Sequence, residues 1–178
     1  TANAVAIQAD GQIVVAGQYR GIYQGDLAVA RLLPDGDLNS APVAPAGNFN
    51  GTGMNYIHPG GAESDDSARA IAFQTIAGDG AAQRIVIAGN TGDGLAAVAR
   101  FTASGDVDTS FNSVGYVTND FGGSNAVAGV AVDGSNNIAI VGSVFGGQIY
   151  EAAPAGLPGL RLSAASNTTD GFLAVYSV

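Results

Sequence analysis

The chain of 178 residues has no cysteine, no tryptophan and no lysine, and only one histidine and one methionine. Without cysteine there can be no disulfide, thiolate nucleophile, iron–sulfur cluster or thiolate zinc site. Without lysine there is no phosphate-loop lysine, no Schiff base and no Ser–Lys dyad. All six basic residues are arginine against 15 acidic ones, and a net charge of -9 with a pI near 4.1 opposes any polyanion. Nucleic acid and anionic lipid are therefore poor partners. No apolar run approaches the roughly 20 residues of a membrane helix, so membrane insertion is not expected. Residues 1–11 lack the basic-then-apolar order of a signal peptide, which leaves a removed leader or a start within a longer protein. The lack of cysteine is compatible with any compartment.

What remains is apolar and repetitive. A hydrophobic content of 47% with mean hydropathy +0.23 is that of a folded unit with a sizeable core. Ile13-Val14-Val15-Ala16-Gly17 recurs as Ile85-Val86-Ile87-Ala88-Gly89 and as Ile138-Ala139-Ile140-Val141-Gly142. Asp26 to Leu32, with Ala28-Val29-Ala30-Arg31, returns as Leu95 to Phe101 with Ala97-Val98-Ala99-Arg100, and more faintly as Gly171 to Tyr176. Phe49 to Gly61 aligns without gaps on Phe111 to Gly123, and the last repeat has no copy of it.

Each repeat thus holds an opening run (Ala4 to Ala9, Ala68 to Gln74, Val127 to Val132), the Ile-Val run, the Ala-Val-Ala-Arg run and a closing run. The runs are short, rich in Val and Ile, and bounded by Gly and Asp, which predicts strands. Within them large residues alternate with small ones, Leu27 and Val29 against Ala28 and Ala30, as in a strand buried on both faces. Asp10-Gly11, Asp79-Gly80 and Asp133-Gly134 fall between the first and second runs, where a tight turn needs positive φ. Asp93-Gly94 and Asp170-Gly171 precede the third run, and Asp35-Gly36 follows it. Six of the 13 Asp are thereby assigned to turns, and the acidic charge reads as solvated turn residues.

Four-stranded units that bury both faces on their neighbours describe β-propeller blades. Residues 4–17, 26–38 and 105–112 resemble the delta-60 repeat family. Residues 129–133, 138–142 and 168–177 resemble the related bacterial β-propeller repeats called SBBP. The resemblance implies a large secreted or surface bacterial protein and no shared catalytic motif. The expected fold is all-β, about three four-stranded antiparallel blades over 1–66, 67–124 and 125–178, the last without its closing strand. Closed propellers have about four to eight blades, so this one is expected to be completed by further chain or by other copies of itself.

Chemistry-bearing residues are few. His58 aligns with Asp120 and is read as structural or solvent-facing. No Gly-x-Ser-x-Gly elbow occurs. Glycoside cleavage needs two carboxylates about 5 to 10 Å apart, and the only Glu residues, Glu63 and Glu151, lie in long loops, Glu63 near Asp65 and Asp66. Asp35-x-Asp37-x-Asn39 and Asp106-x-Asp108-x-Ser110 space oxygen side chains as calcium loops do, but lack the glycine and the bidentate Glu of an EF-hand loop and are read as turns. No cofactor, catalytic residue or metal ligand is assigned. Asn50-Gly51-Thr52 and Asn167-Thr168-Thr169 match the N-glycosylation pattern, which means little in a bacterial protein.

The loop between the second and third runs is short in the middle repeat but carries Tyr19, Arg20, Ile22 and Tyr23 in the first, and Phe145, Ile149, Tyr150, Leu157, Leu160 and Arg161 in the third. Such loops share one propeller rim, and aromatics with Arg are the composition of a contact site. The alternative is that these residues fold back over the blade edge. The leading functional expectation is a non-enzymatic module, extracellular, surface-borne or periplasmic. It would bind a protein or glycan through Tyr19, Arg20, Tyr23, Phe145 and Tyr150. A carbohydrate-active hydrolase or lyase using loop carboxylates, and a calcium-dependent adhesive module, are the alternatives.

Overall fold

The computed structural model describes residues 1–21, 24–40, 49–61, 63–78, 82–146 and 169–176. These contain eleven strands and no helix. The first sheet is the antiparallel meander β1 (Ala2–Ile7), β2 (Ile13–Arg20), β3 (Gly25–Leu32) and β4 (Met54–Ile57). A second meander repeats it with β5 (Ser67–Thr75), β6 (Gln83–Asn90), β7 (Ala96–Phe101) and β8 (Tyr116–Asn119). The third has three strands among the described residues, β9 (Ser124–Val132), β10 (Ile138–Phe145) and β11 (Thr169–Tyr176). The chain is therefore all-β and propeller-like, with sheets that do not close into a ring.

The two-faced burial expected from the sequence is explained by how the sheets stack. Alternate residues of β6 divide between two cores, Ile85 and Ile87 facing the first sheet while Val86 and Ala88 face the third. In β7 Ala97 and Ala99 lie in the first core and Ala96 and Val98 in the second, and every residue of that strand is buried. Large side chains meet small ones across each gap. Leu27 and Val29 of β3 pack into the core that holds Ala97 and Ala99, which lets two pleated sheets approach to about 10 Å. Each fully buried Val, Leu or Ile contributes about 1.5 to 3 kcal/mol relative to exposure.

The glycine that ends every Ile-Val run also has a packing reason. Pairing slips by one residue in each opening strand, between Ala2 and Ala4, between Ala68 and Ala70, and opposite Val141 and Gly142. The bulge drives an opening-strand carbonyl against the second strand. A Cβ on Gly17, Gly89 or Gly142 would lie 2.0, 2.0 or 2.3 Å from the carbonyl oxygen of Thr1, Ser67 or Ala126.

Two turn expectations need revision. Asp170 and Gly171 lie inside β11, paired with Val144 and Ser143, because the third strand of this repeat starts at the same register position as β3 and earlier than β7. At Asp133-Gly134 the positive φ belongs to Asn136 (66°), not Gly134. The Asp133 carboxylate accepts from the amides of Ser135 and Asn137, both at 2.8 Å. That Asx turn moves the left-handed residue two positions on, to an Asn that tolerates it. Asp10-Gly11 behaves as expected, with Gly11 at φ 84°, while Asp79-Gly80 lies outside the described residues.

Candidate functional site

On the rim of the first sheet, β2, β3 and β4 bring together side chains far apart in sequence. Tyr19 pairs with Asp26 across β2 and β3, and Ala28 with Tyr56 across β3 and β4, so Tyr19 and Tyr56 share one sheet face. Their rings stack with centroids 4.9 Å apart and 23° between planes. Tyr56 also meets the His58 ring edge-on at 5.5 Å. His58 Nδ1 is hydrogen-bonded to Asp26 Oδ1, and the Asp26 side chain is nearly buried while the imidazole is half-exposed. Tyr19 and Tyr56 stay 37% and 42% exposed. The result is an accessible aromatic ridge, held from below by a carboxylate–imidazole pair.

At the end of β2 Arg20 Nη2 donates to both Asp65 oxygens at 3.2 Å, and the Gly25 amide donates to the same carboxylate at 2.9 Å. Such an exposed pair adds no more than about 1 kcal/mol to stability, and strand alternation directs Arg20 to the sheet face opposite Tyr19. Beyond it opens a cleft of about 670 Å³ whose walls include Glu63, Ser64, Asp65 and Asp93. Asp66 is buried underneath, accepting from the amides of Gly60 (2.9 Å) and Gly92 (3.1 Å), so that carboxylate serves the backbone.

The expected rim residues divide accordingly. Tyr19 and Arg20 end β2 on the first sheet, and Phe145 ends β10 on the third, 59% exposed, as a strand residue and not a loop residue. The middle sheet separates Phe145 from the other two. Tyr23 and Tyr150 lie outside the described residues, as does Glu151. Sequence reading overlooked Tyr56 and the Asp26–His58 pair. The available signal was the alternation of Met54, Tyr56 and His58 in the closing run, which puts all three on one face.

The two oxygen-rich loops hold arginines. Arg100 is 1% exposed and donates from Nε to Asp108 Oδ2 (2.6 Å), from Nη1 to Gln74 Oε1 (2.9 Å) and from Nη2 to Ser110 Oγ (2.9 Å). Its guanidinium lies 4.9 Å above the Phe111 ring, and Arg84 reaches the same Asp108 oxygen at 2.5 Å. The first repeat copies the arrangement with a neutral partner. Arg31 lies 4.8 Å above Phe49 and donates from Nη1 to Ala103 O of the next repeat (2.6 Å). The Asn39 carboxamide, oriented by these donors, accepts from Arg31 Nε and Nη2 at 3.1 and 3.2 Å. The Ala-Val-Ala-Arg and Phe-Asn motifs are thus two halves of a latch that ties the third strand to the loop before the fourth. No group of three or more His, Asp or Glu placed to hold a metal occurs among the described residues.

Burial raises the Asp108 carboxyl, but the Ser110 hydroxyl and the Arg100 and Arg84 guanidiniums outweigh it and hold the group below the ordinary carboxylate range. A carboxyl lowered on folding contributes stability that is present above its unfolded value of about 4 and lost as pH falls through the folded value. Asp133, lowered by its Asn137 bonds, acts with the same sign. Thermal melts from pH 7 down to 2.5 should therefore show Tm falling below about pH 4. Asp108→Asn, less stable at neutral pH, should show the shallower fall, and equal slopes would remove Asp108 from this account.

Among the described residues no helix is long and apolar enough to cross a membrane. Residues 8–41 and 84–111 match the model of the family described as domain of unknown function (DUF5122) beta-propeller. Both stretches run from the second strand to the latch loop and so contain the bulge glycine and the buried arginine. None of the curated proteins compared matches the chain. With three stacked antiparallel sheets and this repeated match, the chain is a β-propeller repeat protein, similar over those stretches to the DUF5122 family.

Proposed function

We propose that the chain is a non-enzymatic interaction module of a secreted or surface bacterial protein, with repeats of the delta-60 and SBBP kind, and that it binds a protein or glycan partner through its aromatic rim. The observation that carries this reading is the stacked, accessible Tyr19–Tyr56 pair. Two rigid rings present a large apolar surface at little entropic cost. The carboxylates of Asp66 and Asp108 support this reading, because both are committed to amides or arginines. Location outside the cytoplasm is supported by the repeat resemblance.

The test is binding of the chain to an array of immobilised bacterial and host glycans and surface proteins. Tyr19→Ala combined with Tyr56→Ala should weaken capture about tenfold or more, since two aromatic contacts of about 1 kcal/mol or above are removed. Both side chains are exposed, so Tm should stay within a few degrees. A ligand bound equally well by the double variant would overturn the rim assignment. Hydrolysis of a polysaccharide that is abolished by Glu63→Gln, in the cleft beside the rim, would replace the module with the carbohydrate-active reading.

A further inference from the structure

The aromatic ridge of the first sheet is not something the fold demands. Strand register makes Thr91, Leu95, Thr118 and Asp120 of the second sheet the counterparts of Tyr19, Asp26, Tyr56 and His58. That sheet is built without a ring at any of these places, so strand pairing and stacking do not call for the four side chains of the first.

The geometry also fixes where the imidazole carries its hydrogen. A carboxylate only accepts, so with Asp26 Oδ1 at His58 Nδ1 the ring donates from Nδ1. A carboxylate behind a histidine sets both its tautomer and the direction of the ring. In the neutral ring Nε2 then keeps a lone pair and is an acceptor. It makes no hydrogen bond among the described residues, while the side chain is 48% exposed and that of Asp26 only 10%. The same imidazole meets Tyr56, which is stacked on Tyr19. An apolar surface and one oriented acceptor therefore share a footprint of three neighbouring strands, about 10 Å across. Val5 and Ile7, also exposed on this face, pair with Val15 and Ile13, about 13 and 20 Å along β2 from Tyr19, and lie outside that footprint.

A patch of this size is far below the roughly 800 Å² per partner of a standard protein interface, and it matches a sugar. A pyranose offers C–H groups on its face and hydroxyl donors around its edge, which suit the tyrosines and Nε2. The Asp26 carboxylate and the net charge of -9 oppose an acidic sugar. We infer that His58 is the specificity-determining residue of the ridge. Its occupant is a neutral pyranose of a glycan, with C–H groups on the tyrosines and one hydroxyl donating to Nε2. Asp26 is a positioning residue, because it acts on the sugar only through the imidazole. The inference rests on the aromatic-rim reading and narrows its partner from protein or glycan to glycan.

Binding of xylo-, manno-, cello- and chito-oligosaccharides, with polygalacturonate as the acidic counterpart, tests this by calorimetry. At least one neutral probe should bind, and polygalacturonate should not. His58→Phe keeps a ring and removes the acceptor, and should weaken binding about tenfold. His58→Gln, whose carboxamide donates to Asp26 while its oxygen faces out, should stay within about threefold. One monodeoxy derivative of the bound sugar should lose about tenfold against the wild type and nothing against His58→Phe, which a purely structural histidine does not produce. Should His58→Phe misfold because Asp26 has lost its donor, Asp26→Asn with His58→Phe takes its place. No binding of any neutral probe, preference for polygalacturonate, equal affinity of His58→Phe and wild type, or a deoxy penalty that persists in His58→Phe would each overturn the inference. Capture of a protein but no sugar overturns it too and leaves the rim standing. Binding unaffected in the Tyr19 and Tyr56 double variant brings down the rim reading itself, so the two failures are distinct.

Discussion

Arg100→Ala is expected to destabilise the chain by about 4 kcal/mol, the cost of breaking a buried ion pair by removing one partner. The side chain is 1% exposed and satisfies two buried groups, the Asp108 carboxylate and the Gln74 carboxamide, besides the hydroxyl of Ser110. Its loss leaves Asp108 with only Arg84 as a cationic partner. It also strands Gln74 Oε1, which is fully buried and accepts from Arg100 Nη1, and an unsatisfied buried carboxamide costs about 1 to 3 kcal/mol. The guanidinium contact with Phe111 disappears as well. For a chain of this size each kcal/mol moves Tm by about 2 to 4 °C, so a fall of about 10 to 15 °C is expected in a thermal melt followed by circular dichroism. Arg100→Lys should recover little, because an ammonium cannot span Asp108, Gln74 and Ser110 as a planar fork does. Arg31→Ala should cost less, since its latch partner is the neutral Asn39 where Arg100 holds a buried carboxylate. If Arg100→Ala lowers Tm by no more than 3 °C, the latch is ornamental and the motif needs another explanation.

The second large effect is steric. Gly89→Ala places a methyl group 2.0 Å from Ser67 O and 2.7 Å from the Ala68 Cα, both backbone atoms of β5 held in a bulge between two cores. No flexible side chain can yield, so β5 and β6 must part or the bulge must be lost. Overpacking of this kind costs about 3 kcal/mol, and it reaches both interfaces because β6 contributes to each. Gly78→Ala is the control, with a left-handed φ of 101° and nothing within 4 Å of the added atom, where only the backbone conformation is strained, at about 1 kcal/mol. Urea midpoints of the two variants separate the contributions. If Gly89→Ala is no more damaging than Gly78→Ala, close approach at the bulge is not why this glycine recurs.

Much of the architecture is legible in the residues because local periodicity and turn chemistry carry it. The repeated Ile-Val and Ala-Val-Ala runs mark the strands, and the large–small alternation of Leu27 to Ala30 announces a sheet covered on both faces. The turn positions were less secure. Asp133 and Asp170 are the same residue type as Asp10, but one redirects its turn through side-chain bonds to Asn137 and the other extends in β11. The oxygen-rich loops looked like places for a cation, and the cation they hold is the arginine of the neighbouring strand, which no spacing rule reveals because Arg100 and Asp108 meet only when the loop folds back.

The candidate site shows the same division. Tyr19, Arg20 and Phe145 were marked by composition alone, as aromatics and arginine beside an enlarged loop. Tyr56, His58 and Asp26 acquire their meaning from register, since they meet Tyr19 only through pairing across three strands.

By itself the sequence determined that this is a repeated, all-β, acidic chain whose strands bury two faces, because strand periodicity, turn residues and charge are properties of neighbours along the chain. Only the tertiary structure decided which copies of a motif are covered and which are bare. Val5 and Ile7 are as apolar as Ile71 and Phe73, and they differ in having no sheet stacked upon them. Burial is a property of contacts between sheets and not of residue types, so an open interface, unlike a strand, cannot be read from the residues that form it.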